Sequence, residues 1–263
     1  MKYLSPFSII VLMCFNFLAH EVRASDEGPV EYSINRYTQD IDLSFKRGTI
    51  KIHNHFGDVH LKNTNAHQVG ISVVSQELGL KPSIHELLIN NKKESLDITV
   101  HYQAKDIIKH KNKSVDWPIG RVDLVIFVPK DMTVDIQTTN GEIDVRKTKN
   151  WIKATSNSGK IDIANHYDIE ASSVSGIIKV FPMSTQWKKG INLESKSSSI
   201  YAVVPNSDNV KLNIVSHGQL NSRLDSPENW KTVNSNKYRE KLANYQIKSQ
   251  SGDIFISPHD QLK

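Results

Sequence analysis

Four groups of side chains in this sequence have types and spacings that could support chemistry. His53, His55 and His60 fall within eight residues. Positions two apart on a strand share a face, and a chain reversal at Gly57 would bring His60 beside the other two. Zinc takes three or four such ligands, yet no cysteine or carboxylate stands at a matching spacing. A solvent face opposite Ile50 and Ile52 is therefore the preferred reading. Asp144 and Asp162 occupy the same place in successive copies of a repeated segment. On strands stacked about 4.8 Å apart they would be neighbours. Such a pair suits calcium or glycosidic acid–base work. The next copy carries Lys179 at that place, which favours an ion-paired, solvated row, and the calcium-binding Gly-Gly-x-Gly-x-Asp repeat is absent.

The aromatic group is Trp151, Trp187 and Trp230, which follow Gly141, Gly176 and Gly218 by ten, eleven and twelve residues. Aligned on one edge they would make a stripe that binds sugar rings. Equally, large aromatics close corners by burying area, and this is the preferred role. The last group, Lys105, Lys109, His110, Lys111 and Lys113, reads as a solvated basic loop, with contact to lipid headgroups or anionic polysaccharide as the alternative. No Gly-x-Ser-x-Gly elbow, His-Glu-x-x-His pair or phosphate loop occurs, and the many serines sit where turns need them. No catalytic, metal or cofactor residue is assigned; Trp151, Trp187 and Trp230 are the candidate ligand-binding residues.

These groups must be positioned by a short β unit that recurs along the chain. It reads Thr138-Thr139-Asn140-Gly141-Glu142-Ile143-Asp144-Val145, then Ser156-Asn157-Ser158-Gly159-Lys160-Ile161-Asp162-Ile163, then Ser173-Val174-Ser175-Gly176-Ile177-Ile178-Lys179-Val180. Degenerate copies follow around Ser198 and Gly218, and the last copy is Ser249-Gln250-Ser251-Gly252-Asp253-Ile254-Phe255-Ile256. Ser, Thr and Asn bond nearby backbone in turns, and glycine is expected to supply backbone angles that other residues avoid. The alternation after each turn is a strand with one buried face. A second alternating run precedes each turn, such as Val134-Asp135-Ile136-Gln137. Each period of about 17 to 22 residues therefore holds two strands and two turns, and it can bury its apolar face only by stacking. The expected fold is all-β, a single-domain right-handed β-helix-like solenoid with Ser/Asn-Gly turns. The outward positions Asp144, Asp162, Lys179 and Tyr201 should form one row.

The part before residue 130 is also β but less regular, with strand-like runs at 41–45, 49–52, 58–61, 69–73, 96–100 and 122–129. Residues 79–94 and 105–117 read as polar and basic excursions, and Tyr238 to Ala243 as a short helical turn. The stretch Val122-Asp123-Leu124-Val125-Ile126-Phe127-Val128-Pro129, the Asn140-Gly141 turn and the closing Ser251-Gly252-Asp253-Ile254 strand resemble the bacterial putative-adhesin family of domains of unknown function. The resemblance spans roughly residues 40–257 and implies a β-helix-like solenoid without catalytic residues. Ser198, where glycine is expected, and the insertion after Gly218 depart from the pattern and make the final coils the least regular.

The N-terminus carries Lys2, an apolar run over 9–18 and Val22-Arg23-Ala24, the pattern of a secretory signal peptide over 1–24 that leaves a mature domain of 25–263. The run is short for a membrane span, which needs about 20 apolar residues. The single cysteine, Cys14, leaves with the leader, so the mature chain has no disulfide. Loss of Lys2, Arg23 and Glu21 lowers the formal charge of +5 by one, a mild basicity that does not argue for nucleic acid. The expected protein is exported, to the periplasm or the cell surface, and non-enzymatic. It would bind or scaffold at the envelope, with polysaccharide, lipid headgroups or another envelope protein as partner. The alternatives are a polysaccharide-active lyase or glycosidase and a structural module of an envelope signalling or assembly system.

Overall fold

The computed structural model describes residues 32–78, 85–102, 109–110, 113–114, 120–205, 210–223 and 243–259. The expected leader, Cys14, Trp230, Lys105, Lys111 and residues 238–242 of the expected helical turn lie outside them. Ala243 itself opens a strand. All described strands belong to one unit, Glu31–Lys263.

The strands in chain order are β1 (Tyr32–Asp42), β2 (Thr49–Asn54), β3 (Val59–Thr64), β4 (Gln68–Leu78), β5 (His85–Asn91), β6 (Ser95–Tyr102), β7 (Lys109–His110), β8 (Lys113–Ser114) and β9 (Gly120–Pro129). They continue as β10 (Thr133–Thr138), β11 (Ile143–Thr148), β12 (Trp151–Ser156), β13 (Ile161–Asn165), β14 (Ile169–Ser173), β15 (Ile178–Pro182), β16 (Ile191–Ser195) and β17 (Ile200–Val204). The last are β18 (Val210–Ser216), β19 (Leu220–Ser222), β20 (Ala243–Ser249) and β21 (Ile254–Pro258). There is no α-helix among the described residues.

Two open sheets hold nearly all of them. One has the order β1-β4-β9-β3-β11-β13-β15-β17-β21-β19, the other β18-β20-β16-β14-β12-β10-β2-β6-β5. Both are mainly parallel, with antiparallel strands β1, β4 and β5 at one end. From β10 to β17 the chain alternates between the sheets, so each rung contributes one strand to each. The alternation in sequence becomes an alternation in burial: β12 buries Ile152, Ala154 and Ser156 and turns Lys153 and Thr155 outward. The inward Ile, Val and Leu of both sheets form one core cluster. Fully burying each such side chain contributes roughly 1.5–3 kcal/mol.

Three expectations are corrected. Residues 79–94 contain strand β5, which pairs antiparallel with β6. Its Leu87 and Ile89 are only half-buried at the sheet edge, so its apolar alternation is diluted by Leu88 and the flanking amides. The first strand lies over Tyr32–Asp42 and stops before Phe45. Within the basic stretch, Lys109–His110 and Lys113–Ser114 form a small antiparallel pair.

The repeat glycines also act differently from the expectation. Among the described glycines only Gly57 and Gly190 have a left-handed φ, 123° and 105°. At Gly141, Gly159 and Gly176 the constraint is stacking. A Cβ on each would lie 1.7, 1.8 and 2.0 Å from the carbonyl oxygen of the preceding glycine in the column, Gly57, Gly141 and Gly159. The residue three positions earlier braces the turn from inside. Thr138 Oγ1 donates to the Gly141 carbonyl at 2.8 Å, while Ser156 and Ser173 Oγ accept from the amides of Gly159 and Gly176 at 2.9 and 2.7 Å. Ser198 fits the column because its hydroxyl bonds the Gly176 carbonyl and Ser195 Oγ.

Candidate functional site

The sequence-selected groups separate into paired rows and one groove. His60, Asp144, Asp162, Lys179, Tyr201 and Phe255 stand in register as a single outward row. The two carboxylates are ion-paired rather than free. Arg146 Nε lies 2.5 Å from Asp144 Oδ1 and Lys160 Nζ 2.9 Å from Asp162 Oδ2, while His60 Nδ1 lies 3.2 Å from Asp144 Oδ2. Hydrogen bonds to Glu142 and Asp162 outweigh partial burial and push the Lys160 ammonium above its ordinary pKa; the Glu142 bond is the largest cause. Each carboxylate thus already has a cation partner. His55 bonds Thr139 Oγ1 at 3.0 Å, so the three histidines have separate surroundings. On the other sheet Asp97, Lys51, Asp135, Lys153 and Glu170 form an outward row of alternating sign.

Trp187 and Trp151 are placed differently. Trp187 is 8% exposed and packs edge-on against the fully buried Tyr245, ring centroids 5.7 Å apart. Burial pushes the Tyr245 hydroxyl far above its ordinary pKa. Trp151 is half-buried at the start of β12, and the Lys189 ammonium lies 4.4 Å from its ring centroid. No ring contact joins the two tryptophans.

Trp151 opens onto a groove of about 550 Å³ lined by Arg47, Asp131, Met132, Thr133, Trp151, Tyr167, Asp168, Gln186 and Lys188. These residues sit at the entrances of β2, β10, β12, β14 and β16, which are consecutive in their sheet. The groove therefore runs across the strands along one corner, through four strand spacings or roughly 19 Å. Main-chain bonds hold this corner: Thr133 N to Gly48 O at 3.0 Å, Trp151 N to Met132 O at 3.2 Å and Ile152 N to Asp168 O at 3.0 Å.

Local sequence explains each wall. The 130–132 turn puts Asp131 at φ 64°, a left-handed angle that Asp tolerates better than most residues. Buried Asn150 clamps that turn by donating from Nδ2 to the carbonyls of Pro129 at 2.8 Å and Met132 at 3.2 Å. Asn63 and Asn165 extend the clamp: Asn63 Nδ2 donates to Asn150 Oδ1 at 2.5 Å and Asn165 Nδ2 to the Asn150 carbonyl at 2.8 Å. The opposite wall is the 183–190 loop. Asp168 Oδ1 accepts from the amides of Lys189 and Gly190 at 2.6 and 2.7 Å, and Ser184 Oγ donates to the His166 carbonyl at 2.5 Å. Trp187 pins the loop into the core, which leaves Gln186, Lys188 and Lys189 exposed beside Trp151. Burial, with Lys149 adding to it, holds the His166 imidazole below its ordinary pKa.

The electrostatic balance of this corner differs from that of the rows. Asp168 is buried and spent on two amides. Among the described residues Arg47, Lys188 and Lys189 have no carboxylate in ion-pair distance, leaving Asp131 as the exposed acid of the lining. Of the lining residues the sequence singled out only Trp151; Trp187 lies in the core behind them. The remaining lining residues share one signal, a position at or within five residues before the start of a strand of the second sheet, which becomes readable once strand starts are aligned.

No family model and no curated protein matches the chain. Among solved structures the chain is similar to one described as a putative cell adhesion protein from Clostridium sporogenes, at 14% identity and a TM-score of 0.47, over 88% of this chain and 100% of that one. It is also similar to one described as a putative adhesin from Bacteroides fragilis, at 9% identity and a TM-score of 0.32, over 85% of this chain and 97% of that one.

Proposed function

We propose that this is an exported, non-enzymatic binding protein of the cell envelope. A leader over residues 1–24 is removed. Residues 25–263 form a right-handed β-helix-like solenoid that binds or scaffolds at the envelope or surface, the adhesin-like role that the sequence resemblance implies. The observation that carries the reading is the corner groove, where an aromatic ring and unpaired cations line a channel that crosses five consecutive strands. A channel running with the stacking direction suits an extended polymer better than a compact metabolite. The polysaccharide-active alternative would need carboxylates free to exchange protons, whereas Asp144 and Asp162 are each held by a cation.

The test is expression with the native N-terminus in a bacterial host, followed by cell fractionation, mass spectrometry of the N-terminus and sedimentation of the purified mature protein with isolated envelopes. A chain beginning at Ser25 in the periplasmic or surface fraction, and saturable co-sedimentation, are expected. A full-length chain confined to the cytoplasm, or no co-sedimentation, would overturn the proposal.

A further inference from the structure

Resting on the groove as the binding face, the geometry points to an acidic polysaccharide as its ligand, laid along the corner with a sugar ring on Trp151 and its carboxylate or sulfate groups among Arg47, Lys188 and Lys189. Three observations converge. The first is charge. Elsewhere some outward charges are matched within their own rows, as Lys153 with Glu170 at 3.8 Å or Lys248 with Glu194 at 3.1 Å. At this corner three cations face one exposed acid, Asp131, because the Asp168 carboxylate is taken by the Lys189 and Gly190 amides. Such a local excess attracts an anion and binds it in a salt-dependent way.

The second is the ring. The Lys189 ammonium at 4.4 Å from the Trp151 centroid occupies one ring face. A cation–π contact at an exposed site is weak, so it yields readily to an apolar sugar face. The displaced ammonium then remains within reach of the ligand's acid group, and one movement serves both contacts. The third is the remaining lining. Thr133, Gln186, Tyr167 and Asp131 supply donors and acceptors of the kind that sugar hydroxyls engage. An acidic peptide would use the cations but has less use for this mixed set.

The groove's length adds a property that a single pocket lacks. Successive lining groups advance by one strand spacing, about 4.8 Å, so longer oligomers meet more of them. Affinity should rise with chain length until the corner is filled.

The experiment uses the mature protein and oligogalacturonates of increasing length, with neutral cello-oligosaccharides and a polyglutamate peptide as controls, followed by tryptophan fluorescence and calorimetry at low and high salt. Expected are length-dependent binding of the acidic sugars, a fluorescence change, and weakening by salt. Trp151→Ala should weaken binding about tenfold. Lys188→Glu, a change at an exposed residue that leaves the fold intact, should weaken acidic sugars and leave neutral ones unaffected. Undiminished binding by both variants, or equal binding of polyglutamate, would overturn the assignment. If wild-type protein still sediments with envelopes but binds no oligogalacturonate, this inference fails while the envelope-binding proposal stands. If it does neither, both fail.

Discussion

At the scale of single residues the glycine column is the most exacting feature of the chain. A glycine here is fixed by its neighbour one rung away, since a Cβ at Gly159 would sit 1.8 Å from the Gly141 carbonyl oxygen. Relief requires two stacked turns to separate, which breaks Ser158 N to Thr139 O at 2.9 Å and strains the Ser156 brace. Gly159→Ala should therefore lose about 1–3 kcal/mol or more in urea unfolding, although alanine is acceptable at its backbone angles. Ser198 is the instructive contrast. Its Cβ is tolerated because its hydroxyl takes up the Gly176 carbonyl, so Ser198→Ala should cost about 1–2 kcal/mol by stranding buried partners. An unchanged stability in Ser198→Ala would mean that the hydroxyl is not what admits the side chain.

At the scale of elements the 183–190 loop shows how a strand connection becomes a wall of the groove. It is the longest link among the rungs from β10 to β17, and three devices fix it: Asp168 on two amides, the left-handed Gly190 and buried Trp187. Trp187→Ala should destabilise the protein by about 3–5 kcal/mol. It should also free the loop locally, seen as faster tryptic cleavage after Lys188 and Lys189 under native conditions, whereas Trp187→Phe should keep most of the protection. Unchanged cleavage in the alanine variant would show that the Asp168 bonds suffice. The strands of this region were legible in the sequence because the Ile-x-Val alternation directly encodes one buried face, and the row from Asp144 to Tyr201 follows from a fixed period. The groove was not legible. Its lining comes from five separate connections whose residue types differ, so no motif repeats. The Asn63–Asn150–Asn165 clamp was hidden for the same reason: its members come from three rungs, and Asn63 lies 87 residues from Asn150.

At the scale of the whole molecule the order of rungs departs from the order of the chain at both ends. The pair β2 and β3 lies between the later-formed pair β6 and β9 and the rung of β10 and β11. At the other end β20 and β21 stack directly on β16 and β17, and β18 and β19 lie outside them. The repeat period predicts that copies stack but carries no information on which copy stacks on which, because the copies offer similar brace and column chemistry. The consequence is a dependence that runs backwards along the chain. Among the described residues the strand pairings of β18 and β19 are with β20 and β21: Ile254 N donates to Gln219 O, and the Val210–Ser216 register is paired wholly with Ala243–Ser249. A chain ending after Arg223 keeps residues 210–222 but removes the layer beneath them. Two outcomes are open to it. If rung chemistry is interchangeable, 210–222 slides into the vacated place on β16 and β17 and stays protected. The half-buried Val210, Leu212 and Ile214 and the exposed Leu220 argue otherwise, since the removed rung supplies the fully buried Tyr245, Ile247 and Ile254 in their place. Hydrogen exchange on the truncated chain should therefore find 210–222 exchanging freely, with 133–182 still protected. Retained protection across 210–222 would show that the rungs are interchangeable and that their order is set by chain connectivity alone.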